Sequence, residues 1–89
     1  MIRGVQIKAA RGLLKMDQGE LSSLSGISIA TIQNIENDEE KWKVASMNTI
    51  QRIQAALESK GIKFLQSKDN NSLNGIGVRL FIKADETIA

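Results

Sequence analysis

One stretch constrains the fold of this chain more than any other, and it lies at residues 17–37 with the sequence DQGELSSLSGISIATIQNIEN. It begins with Asp17, a favoured N-cap residue, and Glu20 follows three positions later, so the two have the pattern of a capping box at a helix start. Gly26 suits the left-handed conformation that ends an α-helix. Ser28 is a second N-cap candidate. The stretch therefore predicts two short helices joined by a tight glycine turn.

The apolar residues of both predicted helices have helical spacing. Leu21 and Leu24 stand three positions apart in the first helix, and Ile32 and Ile35 repeat that spacing in the second, which is predicted over 29–37. Each pair marks one buried side. Two short helices with a glycine turn between them form a helix-turn-helix.

The second helix has an outer face that is short, uncharged and able to form hydrogen bonds. This face consists of Ile29, Ala30, Gln33 and Asn34. A DNA major groove is about 12 Å wide and admits a helix, and amide side chains pair bidentately with adenine. We favour DNA reading, and the alternative is a solvated face in a small helical bundle.

Composition narrows the function classes. The chain has 89 residues, enough for one small domain, and no cysteine or histidine, so disulfides, zinc fingers and thiol or imidazole catalysis are excluded. We expect no enzymatic activity, cofactor or metal site. There is no long apolar run and no signal-peptide pattern, which predicts a soluble, cytoplasmic protein that does not enter a membrane. The net charge of +2 is compatible with nucleic acid.

Residues 1–15 predict a basic amphipathic helix. Gly4 and Gly12 each weaken it by about 1 kcal/mol relative to alanine. Three apolar residues recur at helical spacing: Ile7, Ala10 and Leu14. Four basic residues and no acid accompany them: Arg3, Lys8, Arg11 and Lys15. A solvated face and a position beside a phosphate backbone are both open.

Residues 38–45, DEEKWKVA, predict a loop. Trp42 is the only tryptophan, and the favoured interpretation is an apolar lid over the core with its indole N–H in water or on a carbonyl. The alternative has Lys41 and Lys43, together with Trp42, on DNA phosphates, against the repulsion of the preceding acids.

The remaining chain predicts one helix and a β-hairpin. The helix begins after Ser46, runs to Lys60 before Gly61, and has one apolar side: Met47, Ile50, Ile53 and Leu57. Residues 62–83 alternate with a period of two around turn chemistry at 69–72, which indicates a hairpin. Its apolar edge strand predicts a homodimer through this hairpin. The domains are then a helix-turn-helix bundle at 1–61, its hairpin extension at 62–83 and a frayed tail at 84–89.

These residues resemble the Xre family of lambda-repressor-like helix-turn-helix transcriptional regulators. The matching segments are Ala10-Arg11, Asp17-Gln18, Glu20-Leu21, Gly26-Ile27-Ser28, Thr31-Ile32, Ile35-Glu36, Thr49-Ile50 and Ala56-Leu57. The resemblance implies a mainly α fold, with a lambda-repressor-like bundle of about four helices and a C-terminal β-hairpin.

The resemblance also implies residue roles. Arg11 and Glu36 would form a semi-buried structural ion pair, and Gln18 would hydrogen-bond a phosphate. Base-reading positions fall on four residues: Ser28, Ile29, Ala30 and Asn34. Thr31 and Gln33 lie nearer the backbone. The chain departs from the family where Ile29 and Ala30 replace residues that are often polar, and where Asp38 follows the glutamate instead of glycine.

The sequence thus predicts a sequence-specific regulator that binds a double-stranded DNA operator as a homodimer and reads the major groove with helix 29–37. On a palindromic operator the paired reading helices would lie about 34 to 36 Å apart. The alternative is a protein-binding adaptor, such as an antitoxin-like partner protein, with weak DNA binding.

Overall fold

The fold is mainly α, with a helix-turn-helix at its centre and one pair of strands, as the sequence predicts. The computed structural model describes residues 1–65 and, for the backbone, 77–80. The helices in this part of the chain are α1 (Gly4–Leu14), α2 (Gln18–Ser25), α3 (Ile29–Asn37), α4 (Glu39–Val44) and α5 (Met47–Glu58). The strands are β1 (Ile62–Leu65) and β2 (Gly77–Leu80).

The core lies between α1, α2, α3 and α5. Its fully buried large side chains are Ile2, Ile7, Leu21, Ile32, Ile50, Ile53 and Leu57. Removal of such side chains from water is the main stabilising term for a domain of this size. Two apolar residues that the sequence assigns to buried stripes are instead exposed: Leu24 is 41% exposed and Met47 is 63% exposed.

The start of α2 is fixed by the predicted capping box. Glu20 N donates to Asp17 Oδ1 at 2.7 Å, and Asp17 N donates to Glu20 Oε1 at 3.0 Å. The helix ends at Gly26, whose φ of +77° lies in the left-handed region that glycine adopts without strain. These local contacts set the turn between α2 and α3.

Helices α3 and α5 begin in the same way. At α3, Thr31 N donates to Ser28 Oγ at 3.2 Å, and the serine hydroxyl donates to Thr31 Oγ1 at 2.9 Å. At α5, Ser46 and Thr49 repeat both contacts, at 3.1 and 2.9 Å. A serine cap with a threonine three residues later therefore defines two helix starts.

Most of the stretch 38–45, which the sequence predicts to be a loop, forms the helix α4 (Glu39–Val44). Asp38 ends α3 and also caps α4, because its Oδ1 accepts from Glu40 N at 3.0 Å and from Lys41 N at 3.4 Å. Acids in the first turn and lysines in the last turn complement the helix dipole. Trp42 packs against the core, and its Nε1–H donates to Ile2 O at 2.9 Å. The tryptophan is therefore a lid over the core with its indole N–H on a carbonyl.

The hairpin strands pair antiparallel, with Ile62 opposite Leu80 and Leu65 opposite Gly77. Ile62 is buried, and β1 packs on α5 while β2 packs on α1. The strands thus belong to the same packed body as the helices. The predicted turn at 69–72, residues 81–83 and the predicted tail at 84–89 lie outside the described residues.

The first turn of α1 lies directly against the end of α3. A Cβ at Gly4 would overlap the carbonyl oxygen of Ile35, whereas a Cβ at Gly12 would meet no atom within 4 Å. Only a residue without a side chain fits at position 4. The two glycines of α1 therefore have different roles, although helix propensity alone predicts the same destabilisation at both.

Candidate nucleic-acid interface

The helix α3 has an inner and an outer side. Ile32, Ile35 and Glu36 are buried on the inner side. On the outer side Ile29 is 44% exposed, and Ala30, Gln33 and Asn34 are exposed as well. Packing of the inner side against the core thus leaves one uncharged face of α3 open to solvent.

The amides of this outer face have no partner among the residues that the structure describes. Among the residues that the structure describes, neither Gln33 nor Asn34 forms a side-chain hydrogen bond. An amide offers two donors and an acceptor, which is the set that pairs with adenine. Both side chains can therefore meet an external partner without breaking an internal contact.

The apolar part of the outer face lies near the start of α2. A Cβ at Gly19 would lie 3.9 Å from Ile29 Cδ1, so the isoleucine side chain extends over that glycine. Ala30 follows it on the exposed side. This end of the face offers methyl groups, and the far end offers amides.

The hydroxyls at the start of α3 form a pair. Because Ser28 donates its proton to Thr31 Oγ1, the proton of the half-buried Thr31 hydroxyl is not used in this contact. Ser28 is exposed. The N-terminal end of a helix also favours an anion, since its first backbone N–H groups point outward.

A buried carboxylate joins α1, α2 and α3. Glu36 Oε2 accepts from Arg11 Nε at 2.7 Å, and Glu36 Oε1 accepts from Arg11 Nη2 at 2.7 Å. Gln18 Nε2 donates to the same Oε1 at 3.2 Å. The Glu36 side chain is fully buried and that of Arg11 is 15% exposed. Arg11 and Glu36 therefore form the ion pair that the resemblance implies, and Gln18 extends it to α2.

The ion pair holds Arg11 in its charged form. The hydrogen bond to Glu36 raises the pKa of Arg11, burial opposes this, and the charges of Glu36 and Asp17 add to the rise. A raised pKa in the folded state gives a stabilisation that is complete below the ordinary arginine pKa and is lost only as the pH rises through the folded value. This contribution is therefore constant across the neutral pH range.

The lysines on α4 lie outside the helix pair. Lys41 and Lys43 are both exposed, and Lys43 Nζ lies 3.4 Å from Glu40 Oε2. Such an exposed pair is worth little, but it places an acid beside one of the two cations. The fold thus places Gln18 against Glu36 and Gly19 beside Ile29, and it carries the two lysines on the neighbouring helix α4.

Two features of this region are not predicted from the sequence. Arg3 lies over the Trp42 ring, 4.9 Å from its centroid, and forms an ion pair with Glu39. Arg52 lies beside the turn of the helix-turn-helix, since a Cβ at Gly26 would lie 3.5 Å from its Nη1. The capping pattern of Asp38 could have revealed α4 and hence the first cluster. No local signal reveals the second, because it depends on how α5 packs on α2.

The described segments show neither a metal site nor a membrane-spanning helix. No three of their acidic, histidine or cysteine side chains lie together in a way that could hold a metal ion. None of the helices there has the length and apolar content needed to cross a membrane.

The chain matches the HTH_3 family model, described as Helix-turn-helix, over residues 7–62. This match covers more than half of the chain and includes all of α2 and α3. No curated protein matches the chain. The match and the α2–α3 geometry agree, and the chain belongs to the Xre, lambda-repressor-like helix-turn-helix family of DNA-binding transcription regulators.

Proposed function

We propose that the protein is a sequence-specific transcription regulator that reads double-stranded DNA with α3 in the major groove. The observation that carries this proposal is the outer face of α3, where the exposed side chains of Gln33 and Asn34 form no hydrogen bond with any other described residue. Family membership supports DNA binding, and this face supports base recognition.

The base contacts come from both ends of the outer face. Asn34 pairs with adenine, while Ile29 and Ala30 meet thymine methyl groups. Ser28 reads a base from the start of the helix.

The backbone contacts position the helix without reading sequence. Thr31 and Gln33 lie toward the sugar-phosphate backbone, and Gln18 donates to a phosphate at the start of α2. Lys41 and Lys43 on α4 add charge contacts, with Lys43 weakened by its acidic neighbour. Affinity then falls as salt rises, because phosphate contacts release counterions.

The regulator acts as a homodimer on a palindromic operator, with the strand pair at the interface. Within the described residues the sheet has two strands, and a strand at the edge of a sheet is able to pair with a second copy. A chain ending after Leu65 tests this because it keeps Ile62 and Phe64 on the core. Its mass in solution should be that of a monomer while the full chain is a dimer. If the truncated chain is still helical and still forms a dimer, the strand interface is excluded.

A second candidate is an adaptor whose main partner is another protein. Val44 is 82% exposed and Met47 is 63% exposed, and both lie at the junction of α4 and α5. Exposed apolar side chains favour a protein contact there. This candidate predicts weak, sequence-blind DNA binding. Neither candidate is an enzyme, and the lack of histidine and cysteine removes imidazole and thiol catalysis.

Selection of bound sequences from random duplex DNA separates the two candidates. At about 150 mM salt, where long-range charge effects are screened, the regulator should recover a motif with two-fold symmetry. Recovery of no motif from a protein that is folded would favour the adaptor.

The same selected duplex tests the apolar contacts. Replacing its thymines by deoxyuridines removes only the C5 methyl groups, so binding should weaken in the wild type. The loss should be smaller in Ile29→Ala, which has no extended side chain at position 29, while Ala30 still meets a methyl group. An equal loss in both proteins would exclude Ile29 as the methyl reader.

A further inference from the structure

The Gln18 amide is held on the side that faces the protein. Its Nε2 donates to Glu36 Oε1 at 3.2 Å, and that oxygen also accepts from Arg11 Nη2 at 2.7 Å. The carboxylate is itself fixed, because Arg11 binds both of its oxygens and also donates to Met16 O at 2.9 Å. Gln18 therefore meets a rigid acceptor.

A carboxylate sets the orientation of a neighbouring amide. Ionised Glu36 can only accept hydrogen bonds, so the NH₂ group of Gln18 must face it and the amide oxygen must face away. The flipped amide would bring two acceptor oxygens together. One N–H of Gln18 consequently donates inside the protein. The same nitrogen carries a second N–H, which can donate to another acceptor.

The second N–H lies at the beginning of a helix that borders the outer face of α3. Gln18 is the first residue of α2 and is half-buried, so solvent reaches part of this residue while its Nε2 contacts Glu36. Three N–H groups of Arg11 donate to Glu36 and Met16, and the neutral amide of Gln18 adds a further donor beside them.

We infer that Glu36 is a positioning residue for DNA binding: it holds one N–H of Gln18 and so directs the other N–H at a backbone phosphate. This inference rests on the DNA binding proposed above and names the group that aligns one of its backbone contacts. It couples the buried ion pair between α1 and α3 to the DNA contact of α2. A loss of the Glu36 carboxylate then weakens DNA binding through Gln18.

Nuclear magnetic resonance of the 15N-labelled full chain observes both Gln18 side-chain amide protons directly. Their signals are assigned by their absence in Gln18→Met, and the probe is a short duplex of random sequence, since a phosphate contact does not depend on sequence. The proton bound to Glu36 should keep its chemical shift as DNA is added, while the other proton should move. A change in the chemical shift of the Glu36-bound proton as well would mean that the amide has left the carboxylate. That result would overturn the inference.

Binding measurements provide the second readout. Gln18→Met should weaken binding to the random duplex about 10-fold, the effect of one hydrogen bond to a charged group. The slope of affinity against salt should not change, because a neutral donor releases no counterion. Glu36→Gln should weaken binding in the wild-type background and have no further effect in the Gln18→Met background. The control is Gln51→Met, an exposed glutamine on α5.

The outcomes separate this inference from the proposed function. Wild-type protein that binds no duplex would overturn both. Wild-type protein that binds duplex with an affinity unchanged by Gln18→Met would overturn the inference and leave the proposed function standing. If Glu36→Gln does not fold, the two amide protons of the wild-type protein still decide the result.

Discussion

The two sides of α3 differ in what holds them. On the inner side Ile32 and Ile35 are 0% and 2% exposed, and Glu36 accepts three hydrogen bonds from two other helices. On the outer side Asn34 is exposed and its amide has no partner among the described residues. One helix therefore combines a fixed frame with a free surface. Changes to the inner side should alter stability, and changes to the outer side should alter binding alone.

The largest effect is expected at the buried carboxylate. Glu36→Ala leaves Arg11 without its partner, and breaking one member of a buried ion pair commonly costs about 3 to 5 kcal/mol in the free energy of unfolding. Urea unfolding followed by circular dichroism measures this loss. Glu40→Ala is the control, because that exposed acid pairs only with Lys43 across one turn of α4. Equal stability of Glu36→Ala and wild type would show that the ion pair does not support the frame.

The next largest change in stability is expected at the two glycines of α1, which should respond to alanine in opposite directions. Gly4→Ala forces a Cβ against the Ile35 carbonyl oxygen, which should destabilise the fold by about 1 to 3 kcal/mol as overpacking does. Gly12→Ala meets no atom within 4 Å and should stabilise the helix by about 0.5 to 1 kcal/mol. Thermal unfolding of both variants gives the sign of each change. Stabilisation by both alanines would mean that α1 and α3 do not approach closely at position 4.

The smallest effect concerns the lysines of α4, next to the helix α3 that is proposed to read bases. Lys41→Met should lower the slope of log affinity against log salt by about 0.9, the value for one phosphate contact on duplex DNA. Lys43→Met should lower it by less, since Glu40 competes for that cation. Lys63→Met, an exposed lysine on β1, serves as the control. Slopes unchanged in both α4 variants would remove this helix from the DNA interface.

The helix-turn-helix could be predicted closely because its signals are local. Asp17, Gly26 and Ser28 each act within three or four residues, and α3 has the predicted bounds of 29–37. The helix α4 was missed although Asp38 is also an N-cap. Its six residues bury no side chain completely, so the apolar spacing that marks the other helices is absent there.

The candidate site could be predicted only in part, for a similar reason. The outer residues of α3 follow from helical periodicity, whereas the contact of Gln18 with Glu36 joins residues 18 positions apart. The close approach at Gly4 likewise depends on how α1 packs on α3. Contacts of this kind depend on packing between helices, which one sequence does not encode locally.

Binding of Asn34→Ala tests most directly whether the outer side of α3 reads bases while the inner side holds the frame. Its affinity is measured for the selected operator and for random duplex, beside wild type, and its unfolding is measured in parallel. Affinity for the operator should fall by about 1 to 3 kcal/mol, the discrimination of one bidentate base contact, with affinity for random duplex and stability unchanged. An equal loss on both duplexes, or a loss of stability, would contradict the assignment of Asn34 to base reading.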